Sequence, residues 1–93
     1  MLDERIVLML DENVVLRSIN DKFWALDTRL GAQYKLNRVS FDILSCLDGK
    51  KTVSEVVNDA SQLYNVSFDI FFDDACGLLK DAVEKKLVME VKL

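Results

Sequence analysis

The sequence predicts an α+β fold of the winged helix-turn-helix kind, with an N-terminal three-stranded antiparallel β-sheet followed by three α-helices. Two patterns carry this: β-rich runs separated by turn residues fill the N-terminal part, and apolar stripes at helical spacing, each with an N-cap signal, fill the remainder. Length sets the third constraint. The 93 residues, 51% hydrophobic and 30% charged, supply one core and not two, so residues 1–93 are expected to form a single domain.

The strands come first. Val14–Ile19 and residues 23–27 are β-rich and flank Asn20-Asp21-Lys22, a turn-forming stretch that predicts a hairpin. A second turn at residues 28–31 leads into Ala32–Leu36, where Ala32, Tyr34 and Leu36 alternate with Gln33 and Lys35. Residues 6–10 are apolar throughout and fit either a further strand or a packing arm, which leaves residues 1–12 as one or the other.

Asn37 is placed to cap a first helix through Asp48, with Val39, Ile43, Leu44 and Leu47 as its stripe and Gly49 as its stop. Thr52 and Glu55 have capping-box spacing, and the second helix carries Val53, Val56, Val57, Ala60, Leu63 and Tyr64 toward the core. Ser67 or Asp69 caps a third, longer helix running to about Lys86. Residues 87–91 alternate again and read as a strand returning to the sheet.

Composition narrows the function. The chain has no histidine, which removes the commonest general base and metal ligand, and its three glycines stand too far apart to cradle a phosphate. Cys46 and Cys76 lie singly among apolar neighbours and read as buried free thiols rather than a disulfide or a metal site. No apolar run approaches the roughly 20 residues that cross a bilayer. Asp3 and Glu4 beside Arg5 do not resemble a signal peptide, so a cytoplasmic location without a membrane partner is expected. The helical part suggests DNA binding, but charge opposes it. Net charge is −4, and the third helix sets Asp69, Asp73, Asp74, Asp81 and Glu84 against Lys80, Lys85 and Lys86, so no nucleic-acid partner is expected.

Taken in order, Gly31, Tyr34, Leu36 and Asn37, then Leu44, Leu47, Asp48, Gly49, Thr52, Val53, Glu55 and Val56, then Leu78-Leu79 and Leu87-Val88, the sequence resembles the PqqD-like family. These are recognition elements of ribosomally synthesised, post-translationally modified peptide pathways, and the likeness spans about residues 14–90. Lys86 departs from it, where the family often has glycine. The resemblance implies a non-catalytic adaptor without cofactor or metal. It implies that the leader segment of a precursor peptide binds as an added antiparallel strand and is presented to a maturation enzyme, a leader peptidase or a radical SAM enzyme.

Carried onto this chain, the resemblance makes Ala32, Gln33, Tyr34, Lys35 and Leu36 the receiving edge. It makes Phe71, Asp74, Ala75, Leu78 and Ala82 the groove wall on the third helix. Phe68, Phe72, Ala75 and Leu79 are expected to pack on the other helices, with Ala75 shared between the faces, though the sequence equally permits the reverse assignment. Asp73 and Asp74 read as a solvated first turn or, more sharply, as partners for a basic leader residue. Trp24 reads as hairpin packing. Lasso peptide, radical-enzyme and pyrroloquinoline quinone pathways all fit. The rival classes are a small winged-helix regulator and a dimerisation or antitoxin-like module.

Overall fold

The computed structural model describes residues 3–92, so the ends of the expected 1–93 domain lie outside the described residues. Strands β1 (Val7–Leu10), β2 (Val14–Ile19), β3 (Lys22–Asp27) and β4 (Ala32–Leu36) precede helices α1 (Arg38–Ser45), α2 (Val53–Leu63) and α3 (Phe68–Glu84), and strand β5 (Val88–Val91) follows. β2, β3 and β4 form a three-stranded antiparallel sheet in that spatial order, followed in the chain by the three helices, as expected. β5 does not return to that sheet. It pairs with β1 in a second, two-stranded sheet, Val7 opposite Val91 and Leu10 opposite Val88. The N-terminal segment is thus a strand, and it also anchors α2: the Ile6 carbonyl accepts from the Val53 N–H at 2.8 Å and the Glu4 carbonyl from Ser54 at 2.9 Å. Two N–H groups that a helix start leaves unpaired are satisfied in this way.

Asn20 and Asp21 both adopt positive φ, 50° and 62°, as a two-residue turn between right-twisted strands requires. At the next turn Asp27 is only 1% exposed. Its carboxylate accepts from the Arg29 N–H at 3.0 Å and from the Arg29 guanidinium, which holds the carboxyl below its usual range. That local pair, with Gly31 at φ +67°, sets the turn that delivers β4.

Asn37 caps α1 through the Ser40 N–H, and the Thr52–Glu55 capping box is complete in both directions. α1 is shorter than expected and ends at Ser45, because the Cys46 and Leu47 N–H groups turn back onto Ile43 and Leu44. The core gathers Ile43, Leu44 and Leu47 of the first helical stretch, Val53, Val56, Val57 and Ala60 of α2, Ala75, Leu79 and Ala82 of α3, and Ala25 beneath them. Leu63, assigned to the α2 stripe, is 69% exposed at the last residue of the helix. Cys46 and Cys76 are half-buried rather than buried, and desolvation raises both thiol pKa values.

α3 ends in a paired reversal: the Lys86 N–H bonds the Val83 carbonyl and the Leu87 N–H the Ala82 carbonyl, with Lys86 at φ 62°. This is the left-handed position that favours glycine. Lys86→Gly should therefore stabilise the protein by about 0.5–1 kcal/mol with no change in its ligand affinity. Chemical denaturation of the two proteins measures it, and a loss of stability would show that the Lys86 side chain supports the fold.

Candidate functional site

β4 is an edge strand of its sheet, and the register identifies which of its amides are free. The two-residue turn makes Ile19 and Lys22 the closing hydrogen-bonded pair. Bonded pairs in an antiparallel ladder recur at every second residue, so Arg17–Trp24, Val15–Leu26 and Asn13–Thr28 follow. The Thr28 N–H does bond the Asn13 carbonyl, at 2.9 Å. Trp24 and Leu26 therefore turn their amides to β2, while Phe23, Ala25 and Asp27 turn theirs to β4. Their partners Leu36, Tyr34 and Ala32 are bonded within the sheet. Gln33 and Lys35 then direct both N–H and C=O away from it.

Beside this edge lies a groove of about 240 Å³. Gln33, Tyr34, Lys35 and Leu36 line one side, Leu78, Asp81, Ala82 and Lys85 of α3 the other, and Ser40, Leu44 and Leu87 complete it. α3 packs on α2, α1 and β5, and the groove separates it from β4. Lys85 spans the mouth. Its Nζ lies 2.7 Å from Asp81 Oδ2 and 5.6 Å from the Tyr34 ring centroid. Both members of the ion pair are about half exposed, so displacing them costs at most about 1 kcal/mol.

The sequence-derived residues distribute as follows. All five β4 positions are on the edge strand, and Leu78 and Ala82 line the groove. Phe71 and Asp74 lie two helical turns and one helical turn before Leu78 on the same face, outside the groove lining. Phe71 packs on Tyr64, ring centroids 6.1 Å apart. Ala75 is buried in the core with Leu79, while Phe68 and Phe72 are half-buried against it. Asp73 and Asp74 are exposed in the second turn of α3, not the first, where Asp69 is the acidic residue. Ile70, apolar and on the same helix, is 76% exposed. Sequence reasoning missed Ser40, Leu44, Asp81, Lys85 and Leu87 as groove residues. Asp81 and Lys85 had a usable signal, their spacing of three and seven residues from Leu78 on one helix face.

Tyr64 ties the helices together behind Phe71. Its hydroxyl donates to Asp42 of α1, and burial first, then this bond, pushes the phenol up to about 12. The folded state thus holds the proton more tightly than the unfolded chain, where the pKa is near 10.0. Its contribution to stability is complete below pH 10 and fades as pH rises toward 12. In Tyr64→Phe, the alkaline loss of stability should be smaller than in wild type, as denaturation at pH values below and above 10 would measure. Equal losses would remove Tyr64 from the account. Among the described residues no cluster of His, Cys, Asp and Glu is placed to hold a metal ion, and no helix is long and apolar enough to cross a membrane.

Fold and groove define a winged-helix-like module with an unpaired strand edge facing a cleft of mixed apolar and polar lining. Residues 5–88 match the family described as coenzyme PQQ synthesis protein D (PqqD), and the chain belongs to that family. Among solved structures it is similar to TbiB1 in complex with the TbiA(beta) leader peptide, at 25% identity and TM-score 0.72 over 86% of this chain and 93% of that one. The fold is shared with a lasso peptide synthetase B1 complexed with the leader peptide, at 18% identity and TM-score 0.72 over 88% and 96%. It is shared also with the PqqD truncation of Methylobacterium extorquens PqqCD, a stand-alone recognition element, at 24% identity and TM-score 0.74 over 89% and 88%. Comparison with curated proteins returns no match.

Proposed function

We propose that this protein is a cytoplasmic, non-catalytic, single-domain adaptor that binds the leader segment of a precursor peptide by strand addition and presents it to a modifying enzyme. The observation that carries the reading is the outward pair of amides, Gln33 and Lys35, set against a groove walled by Leu78 and Ala82. An added strand would take two N–H donors and two C=O acceptors from those residues, and its alternate side chains would enter the groove. Membership of the PqqD family and the leader peptide held by TbiB1 support it.

The magnitudes agree. Four strand hydrogen bonds at about 0.5–1.5 kcal/mol and two or three apolar side chains at about 1.5–3 each give about 5–15 kcal/mol before association is subtracted. Association removes at least about 4 kcal/mol. Micromolar affinity, near −8 kcal/mol, therefore needs groove contacts as well as strand pairing. Asp74, exposed one turn before Leu78 on the α3 face, favours a leader with a basic residue alongside its apolar ones.

The test is a titration of labelled leader peptide into the folded protein. Saturable one-to-one binding at about micromolar or tighter is expected, together with amide shifts at Gln33 and Lys35. Shifts confined to the opposite edge, β2, would overturn the assignment of the strand.

A further inference from the structure

The face of the three-stranded sheet turned away from the helices is not covered. Register and alternation place Val15, Ile19, Trp24 and Leu26 on it, and Val15 and Ile19 are 41% and 56% exposed. A shallow depression of about 180 Å³ centres there, lined by Arg17, Ile19, Trp24, Leu26 and Gln33. The charges on this face have one sign. Arg17, Lys22 and Lys35 project from its strands, and no carboxylate does, in a chain with 16 acidic and 12 basic residues. Among the described residues those three cations form no ion pair.

We propose that this outer sheet face docks the modifying enzyme, through an apolar surface on that enzyme rimmed by carboxylates. An aromatic anchor in an apolar centre with a charged rim is the arrangement of a protein interface. A second copy of the chain is disfavoured, because a two-fold contact would set the patch carrying Arg17, Lys22 and Lys35, all of one sign, against a copy of itself. Position gives the face its purpose. Gln33 and Lys35 belong both to this face, by their side chains, and to the free edge, by their amides. A leader strand added to β4 would extend the face, its outward side chains lying beside Gln33 and Lys35, so a docked enzyme would touch adaptor and leader together. This step rests on the leader-binding reading of β4.

The experiment uses the full chain and, as probes, the precursor leader and the modifying enzyme encoded with it. The variant Arg17→Glu/Ile19→Glu alters two exposed residues remote from the groove. By isothermal titration it should bind the enzyme roughly tenfold or more weakly, while leader affinity stays within about twofold. Arg17→Lys should retain enzyme affinity at the same ionic strength. Leu78→Asp, in the groove and off this face, should do the reverse in the binary titrations, losing leader and keeping enzyme, so failure of the docking face and failure of the leader site give different results. Unchanged enzyme affinity in the folded double variant, or no enzyme binding by wild type with or without leader, would overturn the proposal. So would a wild-type dimer in sedimentation that the variant abolishes, or binding to phosphatidylserine vesicles or a short single-stranded DNA in place of the enzyme.

Discussion

Proline at Gln33 or at Lys35 is expected to leave the fold intact and weaken leader binding by about 1–2 kcal/mol, roughly five- to thirtyfold. Each substitution deletes an N–H that the sheet does not use, because β4 bonds β3 through Ala32, Tyr34 and Leu36. Edge strands tolerate proline at such positions, and the preceding residue is already extended, as proline requires. One lost hydrogen bond accounts for about 0.5–1.5 kcal/mol, and the fixed φ misaligns the neighbouring carbonyl for the rest. Two controls bracket the result. Alanine at either site keeps the amide and should change affinity by less than about threefold. Tyr34→Pro removes a bond inside the sheet and should unfold or strongly destabilise the protein. If the two outward prolines, confirmed folded by circular dichroism, bind leader as wild type does, strand addition at β4 is wrong. The groove would then have to bind its ligand by side chains alone.

That a hairpin lies there was legible in the sequence from Asn20, Asp21 and Lys22, but its length was not. The structure places Lys22 in β3 and leaves a two-residue turn, and which β4 amides are free then follows by counting. The capping box at Thr52, the Asn37 cap and the α2 stripe were legible for the same reason: each is a signal confined to one or two helical turns. The pairing of β1 with β5 was not. Those strands of four residues lie at opposite ends of the chain, and nothing in either apolar run specifies its partner. The buried Asp27 was hidden because burial of a carboxylate is improbable until Arg29, two residues on, is seen to neutralise it. The groove was half legible. Periodicity put Leu78 and Ala82 on one face of α3, but Ser40, Leu44 and Leu87 reach it only because α1 and the segment before β5 converge there. Local pattern carries no information about such convergence.

The second large effect should come from Leu78→Asp. Leu78 is half-buried and lines the groove opposite Tyr34 and Leu36, where an added strand would lay its inward side chains. The substitution removes an apolar contact worth about 1.5–3 kcal/mol when fully buried and puts an unpaired carboxylate in its place. Asp81, three residues on, is already acidic and is paired with Lys85, so the new charge finds no partner on its own helix face. Leader affinity should fall by at least about 2 kcal/mol, roughly thirtyfold, with a smaller loss in global stability. Leu78→Asn, equal in size and uncharged, should lose less, and Leu78→Ala less again. Salt separates this effect from that of surface charge. Asp73→Asn/Asp74→Asn should weaken binding only at low ionic strength if those exposed residues meet a basic leader side chain. The Leu78→Asp loss is desolvation and should persist in high salt. A folded Leu78→Asp protein that binds leader at wild-type strength would show that α3 does not wall the binding site.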